Sequence, residues 1–336
     1  MKRSLLAFGF VLFVVSCGGS SPQAKMIPQI PMIVGTAQTA NGNYHAYYWT
    51  EAGGMIDIGT LQNAICVMNS CSGAYGANLA GWIVGGAYDS NGESHAYYWT
   101  NPTGMIDIGT LGGANASAKQ VNDTGMVVGW SEIGNSIHAF YWTSGSGMVD
   151  LGTLGGIESR AWGVNNNGMI VGMSKDTNGD ERAFYYDTSA SNPVMVDIGT
   201  LGGNWSRAKS VNNHGIIVGH YEDANGNDRS FYYDTSASNP VMVDIGTLGG
   251  NWIWANDVND DGAIVGGAEN ANGDDHAFEY DIQWAVMNDR GKPNGHIDAV
   301  AYAVSEYDAS GAGWIVGRSA SSNSPCVGNG FFWKNW

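Results

Sequence analysis

Seven times along the chain a short apolar run ends in Val-Gly, at Gly35, Gly85, Gly129, Gly172, Gly219, Gly266 and Gly317. The intervals are 50, 44, 43, 47, 47 and 51 residues, and each run is followed by an aromatic segment. A period of roughly 45 residues means that one supersecondary unit has been copied in series, which settles the architecture before any single residue is read. A residue that recurs in every copy serves to build the copy. Function is to be sought where the copies differ.

Aligned, the units contain four segments, A to D. Segment A reads Ala118-Lys-Gln-Val-Asn122, Ala161-Trp-Gly-Val-Asn165, Ala208-Lys-Ser-Val-Asn212 and Ala255-Asn-Asp-Val-Asn259. Each is followed by two polar residues and a glycine (Gly125, Gly168, Gly215, Gly262), and Asn-x-x-Gly is tight-turn chemistry. Segment B is the Val-Gly run. Segment C is aromatic, as in His45–Trp49, His95–Trp99, His138–Trp142, Arg182–Tyr186, Arg229–Tyr233 and His276–Tyr280, with a looser copy at Asn329–Trp333. Segment D is Met55–Leu61, with copies at 105–111, 148–154, 195–201 and 242–248. All four are of strand length, rich in β-branched or aromatic residues and bounded by turn residues.

Four antiparallel strands per unit, repeated seven times, predict an all-β protein: a β-propeller of seven four-stranded blades. A parallel β-helix would show shorter coils and no hairpin turn after every strand. The first copy lacks segment A and the last lacks segment D, and an unclosed ring would leave two exposed edges. Met26–Ile30 is therefore expected to add an outer strand beside the last blade, although Pro28 suits only an edge.

These segments resemble the HAF repeat, a family of probable extracellular bacterial repeats, over residues 32–336. His138-Ala-Phe140 and His276-Ala-Phe278 match its name, and Asp-Ile/Leu-Gly-Thr-Leu-Gly-Gly is its second signature. The resemblance implies export and a repeat fold, and brings no activity with it. The kelch propeller is a looser likeness. Residues 184–205 and 231–252 are identical over 22 positions, turns included, which points to copying within the chain.

Residues 1–17 read as a signal peptide: Lys2 and Arg3, an apolar stretch from Leu5 to Val15, then Ser16-Cys17. Val14–Cys17 resembles the lipobox of bacterial lipoproteins, which implies lipidation of Cys17; an ordinary secreted protein is the alternative. Residues 18–30 would then be a tether and 31–336 the propeller. Several acyl chains would anchor the protein effectively permanently, so the membrane is contacted through the lipid alone. Gly18 after the cysteine implies the outer membrane where the cell has one. A net charge of −17 disfavours nucleic acid and anionic lipid surfaces and suits cations or basic partners. Cys66 and Cys71 are expected to form a local disulfide, with a long-range bridge from Cys326 as the alternative.

The cation heading segment C keeps a fixed distance from the Asp of segment D. His45/Asp57, His95/Asp107 and His138/Asp150 are 12 residues apart, and Arg182/Asp197 and Arg229/Asp244 are 15 apart. Five such pairs predict structural clasps rather than catalytic bases. The B–C turns are acidic and contain glycine. Asp176, Asn178 and Asp180 make the best calcium candidate, although Asn-Gly turn chemistry accounts for the same residues. No zinc spacing, nucleophile elbow or phosphate loop is present, and no residue reads as a nucleophile.

The remaining candidates are aromatic. Trp205, Trp252 and Trp254 follow Gly-Gly in the D–A connections, which share a face with the B–C turns and with the divergent stretches 62–73, 288–298 and 319–328. Indoles beside carboxylates and amides suit a glycan or a protein surface, or pack on the next blade. The leading expectation is a monomeric, non-catalytic, envelope-anchored binding module for glycan or protein, using this face. A scaffold for an envelope assembly is one alternative. A propeller hydrolase or lyase is another, and would draw on the unrepeated Glu158, His214, His220, His296 and Glu306.

Overall fold

The computed structural model describes residues 32–50, 52–306, 313–321 and 324–334. Residues 1–31, with the signal segment, Cys17 and the expected closing strand at Met26–Ile30, lie outside the described residues, as does the side chain of Cys326. The described residues contain strands and no helix.

The first sheet holds β1 (Ile33–Gln38), β2 (Tyr44–Thr50) and β3 (Gly54–Gly59). The second holds β4 (Ser72–Ala77), β5 (Ile83–Tyr88), β6 (Ser94–Thr100) and β7 (Gly104–Gly109). Next come β8 (Ala116–Val121), β9 (Val127–Ile133), β10 (Ser136–Thr143) and β11 (Gly147–Asp150). They are followed by β12 (Gly155–Val164), β13 (Met169–Asp176), β14 (Glu181–Asp187) and β15 (Met195–Gly199). One parallel pairing, Ile137 with Glu158, joins these two groups into an eight-stranded sheet. Two four-stranded sheets follow: β16 (Gly202–Val211), β17 (Ile216–Asp223), β18 (Asp228–Asp234) and β19 (Met242–Asp244), then β20 (Gly249–Val258), β21 (Ala263–Asn270), β22 (Asp275–Asp281) and β23 (Val286–Gly291). The last sheet holds β24 (Val300–Val304), β25 (Trp314–Ser321) and β26 (Ser324–Lys334).

Apart from the one parallel pairing, neighbouring strands pair antiparallel in chain order. Ile33 and Trp49 of the first sheet pack with Tyr302, Ala303 and Val316 of the last, so the arrangement closes on itself. The sheets surround a channel lined by β8, β12, β16, β20 and β24, together with Tyr75 of β4. The fold is a β-propeller, and its cores lie between successive sheets. Tyr97, Phe140, Phe184, Phe231 and Phe278 occupy one equivalent position in segment C, and all are fully buried. Each contributes about 2–3 kcal/mol by leaving water.

The Val-Gly signature has a steric cause. A Cβ added to Gly85, Gly129, Gly172, Gly219 or Gly266 would lie 1.9–2.1 Å from a backbone carbonyl oxygen of the adjoining inner strand. At Gly172 and Gly266 the buried phenylalanine ring of segment C would also be met, at 2.9 and 2.7 Å. Only glycine allows the inner strand and the aromatic ring to close on the B strand from both sides.

The Asn-x-x-Gly turns join one unit to the next. The side-chain amide of Asn78 donates to the Asn122 carbonyl, Asn122 to Asn165, Asn165 to Asn212, Asn212 to Asn259 and Asn259 to Ser305, all at 2.8–2.9 Å. The Oδ1 of Asn122 meanwhile accepts from the backbone N–H of Thr124 and Met126 in its own turn. A second chain runs beside the first: Asp123 N–H donates to Asn166, Asn166 N–H to Asn213 and Asn213 N–H to Asp260. These bonds ring one mouth of the channel.

Candidate functional site

Every inner strand is interrupted at the same place. The register skips one residue between Ala74 and Gly76, Ala118 and Gln120, Ala161 and Gly163, Ala208 and Ser210, Ala255 and Asp257, and Ala301 and Ala303. The skipped residue is a β-bulge, and a bulge re-aims its side chain. In order around the ring these residues are Tyr75, Lys119, Trp162, Lys209, Asn256 and Tyr302, and all six line the channel. The glycine of Val-Gly lies beside each bulge, since Ala161 pairs Gly172 and Ala208 pairs Gly219. The recurrent residues thus hold one variable side chain per unit toward the axis.

The cavity they enclose has a volume of about 430 Å³. Its walls differ in charge. Lys119 lies 4.0 Å from the centre of the Tyr75 ring, and Lys209 lies 4.4 Å from that of Trp162. Burial, with the Arg160 and Lys209 charges nearby, pulls Lys119 down to about 8, and burial with Arg207 does the same to Lys209. On the other wall burial pushes Asp257 up to about 6, although its carboxylate accepts from Ser210 Oγ at 2.6 Å and from Val304 N–H at 3.0 Å. Burial, aided by the charges of Asp260, Asp261 and Asp257, pushes Glu306 up to about 7, against the pull of the Asp260 N–H that it accepts.

Beyond the lysines, toward the mouth opposite the asparagine chain, lie the aromatics expected from the sequence. Their placement needs correction. Trp205, Trp252 and Trp254 lie in strands β16 and β20 and not in loops. Gly202 pairs Asp223 and Gly249 pairs Asn270, so the Gly-Gly stretch continues the ladder along a lengthened B strand. The three indoles form one cluster around His220, with ring centres 5.9 Å (Trp205) and 6.1 Å (Trp254) from the imidazole and Trp252 5.3 Å from Trp254. Trp254 is 44% exposed and donates from Nε1 to Asp228 at 3.0 Å. Trp205 and Trp252 are half-buried, and Arg207 lies over the Trp205 ring. Burial, helped by the Lys209 and Arg207 charges, lowers His220 to about 3. Its Nδ1 is buried and has no hydrogen-bond partner among the described residues.

The clasps divide into two kinds. His45, His95 and His138 meet Asp57, Asp107 and Asp150 at 2.7–3.0 Å. A fourth pair, His276 with Asp289 at 2.8 Å, places Asp289 in the D strand β23, whereas the sequence suggested a divergent stretch from 288. The arginines behave differently. Arg182 turns to Asp176 and Asp180, and Arg229 to Asp223. Asp197 and Asp244 cap the N–H groups of Gly199 and Gly246. The guanidinium groups pair with the turn carboxylates, whereas the imidazoles pair across the hairpin.

That exchange bears on the calcium expectation at Asp176, Asn178 and Asp180. Asp176 Oδ1 accepts from the N–H groups of Asn178 and Asp180, and Arg182 bridges both carboxylates. Asp176 and one oxygen of Asp180 are thus engaged by the turn and by an arginine, whose positive charge opposes a cation there. In the second unit Asp89, Glu93 and His95 offer ligand atoms within 4.8 Å of one another, a set lacking that arginine. Cys66 and Cys71 form a disulfide, with Cα atoms 4.3 Å apart. It lies in a loop tied to both neighbouring sheets, through Cys71 N–H to Tyr44 O and Tyr88 N–H to Cys71 O.

Among the unrepeated acids and histidines, His214 and Glu306 both adjoin Asp260. Glu158 pairs with Arg160 and Lys175. His214 is largely exposed, 4.0 Å from Asp260. The sequence reading missed the channel ring, although its signal was present: two variable positions between a constant Ala and a near-constant Val-Asn, the first of which is the bulge.

Residues 155–243, two consecutive units, match the model of a family described as "Protein of unknown function (DUF3466)". No curated protein sequence matches the chain. Among solved structures the chain is similar to the acylaminoacyl peptidase of Pyrococcus horikoshii (TM-score 0.55, 10% identity, 98% of this chain and 52% of that one). It is also similar to a puromycin hydrolase (TM-score 0.52, 10% identity, 88% and 49%). TolB from Acinetobacter baumannii aligns less closely (TM-score 0.48, 12% identity, 77% and 64%). The chain spans about half the length of the two enzymes, and at these identities the likeness shows the fold alone.

Proposed function

We propose that this chain is a non-catalytic binding protein, exported and tethered to the bacterial envelope through Cys17, whose seven repeat units form the seven blades of one ring. One blade per unit is supported by the recurrence of the bulge and of the asparagine bonds at each junction between inner strands from β4 to β24. The binding face is the mouth bearing Trp205, Trp252 and Trp254. The observation that carries this reading is the aromatic cluster itself: an exposed indole, fixed by Asp228 and backed by two more, beside acidic and amide-bearing turns. Rigid aromatic faces rimmed by polar groups suit glycans and protein hot spots. Two of the groups a hydrolase would recruit are engaged elsewhere, Glu158 by Arg160 and Lys175 and His220 by the indoles around it.

The test is to probe glycan and envelope-protein arrays with the full chain and with a Trp205→Ala/Trp252→Ala/Trp254→Ala variant. Loss of a detected signal in the variant, with the thermal transition retained, supports the assignment. Undiminished binding refutes the site, and a full chain that binds nothing on either array refutes the function.

A further inference from the structure

We propose that the channel is a second, separate binding site, which takes a small anionic, hydroxyl-bearing ligand of the size of a sugar acid between Lys119 and Lys209. This does not depend on the tryptophan face being correct, because none of Trp205, Trp252 and Trp254 lines the channel.

The argument begins with an imbalance. The protein has a net charge of −17 and only 14 lysines and arginines. Two of those lysines nevertheless project from bulges into one cavity, and among the described residues no carboxylate pairs with either. The four acids of the same channel are bonded to other groups: Asp257 to Ser210 and the Val304 N–H, Glu306 to the Asp260 N–H, Asp260 to Asn213, and Asp123 to the Leu79 N–H and the Asn166 amide. Burying an ammonium without a counter-charge is costly, and the ring faces beneath the lysines offset only part of that cost. Arg160 and Arg207 lie close enough to depress the lysines further, but each has its own carboxylate, Glu158 and Glu181, so the charge left without a partner is that of the two lysines. An arrangement that keeps cations apart from the acids beside them is one that an incoming anion completes.

The remaining wall narrows the class of ligand. Gln120 lines the wall with its amide, Ser210 and Asn256 keep acceptor oxygens while donating to Asp257 and the Ala301 carbonyl, and Tyr302 projects from the last bulge. Tyr75 and Trp162 supply flat apolar faces. A ligand that uses all three features bears a carboxylate or similar anionic group, several hydroxyls and a face of C–H bonds. A cavity of about 430 Å³ lies in the size range of small-molecule sites.

Isothermal titration of the full chain in detergent with D-glucuronate, and with D-glucose as the neutral counterpart, tests this. Glucuronate is expected to bind, glucose to bind at least tenfold more weakly, and Lys119→Met/Lys209→Met to lose tenfold or more. Lys292→Met, which removes a lysine paired with Asp274 outside the channel, is expected to leave affinity unchanged. Should the double variant fail to fold, the wild type decides the matter. Its affinity for glucuronate is expected to fall as pH rises through about 8, where both lysines lose their charge. Equal affinity for both sugars, full affinity in the double variant, a flat pH profile, or no binding of glucuronate would each overturn the proposal. If truncating the three tryptophans abolishes array binding and leaves glucuronate binding intact, the two sites are distinct.

Discussion

The Gly172 α-carbon faces the Arg160 carbonyl so closely that a methyl group on it would lie 1.9 Å from that oxygen. Gly172→Ala therefore forces apart the inner strand, the bulge at Trp162 and the Phe184 ring together. Overpacking of this kind costs about 3 kcal/mol or more, and denaturant midpoints are expected to show it. Gly35→Ala is the internal comparison. There the nearest atoms belong to the Tyr47 ring at 3.1 Å, no inner-strand carbonyl lies within reach, and the loss is expected to be markedly smaller.

Asn165 is the middle of the asparagine chain. It donates to the Asn212 carbonyl at 2.9 Å while its Oδ1 accepts from the N–H groups of Asn167 and Met169. Asn165→Asp keeps the acceptor and removes the donor, setting a carboxylate against a buried carbonyl. A loss of about 2–4 kcal/mol follows from the unpaired polar groups, larger than for Asn165→Ala if repulsion outweighs the missing bonds. Thermal denaturation of the two variants side by side measures this.

Much of this architecture was legible in the sequence. Period, turn chemistry and strand composition are local properties, and the asparagines and glycines that fix the turns announce themselves in each copy. Cross-strand register is not local. Gly202 and Gly203 read as a loop because glycine breaks strands, yet the lengthened partner strand draws them into its ladder. The Arg182 exchange was hidden for a similar reason: spacing tells which residues can meet across one hairpin, and the guanidinium pairs with a turn instead. The channel ring was hidden only by emphasis, since its members are variable residues inside an otherwise constant segment.

His220 should matter more for packing than for chemistry. Its ring lies between two indoles and its Nδ1 is unpartnered, with burial lowering its pKa to about 3. A base whose folded pKa is lowered costs stability as pH falls from the unfolded value near 6.5 toward 3, because the unfolded chain takes up the proton first. His220→Phe is expected to lie within about 1 kcal/mol of the wild type at neutral pH, since it removes the unsatisfied Nδ1 and also the ring's hydrogen bond to the Ala255 backbone. It should also reduce the loss of stability between pH 6 and pH 4, as followed by melting temperature.

Asp257 and Glu306 act in the opposite sense. Burial raises them to about 6 and about 7. As pH rises from about 4, the unfolded chain releases these protons before the folded one, so their contribution is full in acid and is lost as pH passes through 6 and 7. Asp257→Asn/Glu306→Gln removes that component, on the order of 1–2 kcal/mol after solvent screening. The difference in melting temperature between variant and wild type should therefore grow in the variant's favour from pH 5 to pH 7.5. A difference that does not change with pH would show that neither acid is held above its ordinary range.

The amide bonds that pass from one turn to the following one run in a single direction, Asn122, Asn165, Asn212 and Asn259 each giving to a successor what they receive from a predecessor. Such a joint is indifferent to how many members it links. The 22-residue duplicate shows that whole stretches of this chain have been copied. A lineage can thus lengthen or shorten the circle by recombination without inventing a new seam, and can retune what the axle holds by changing one codon per repeat.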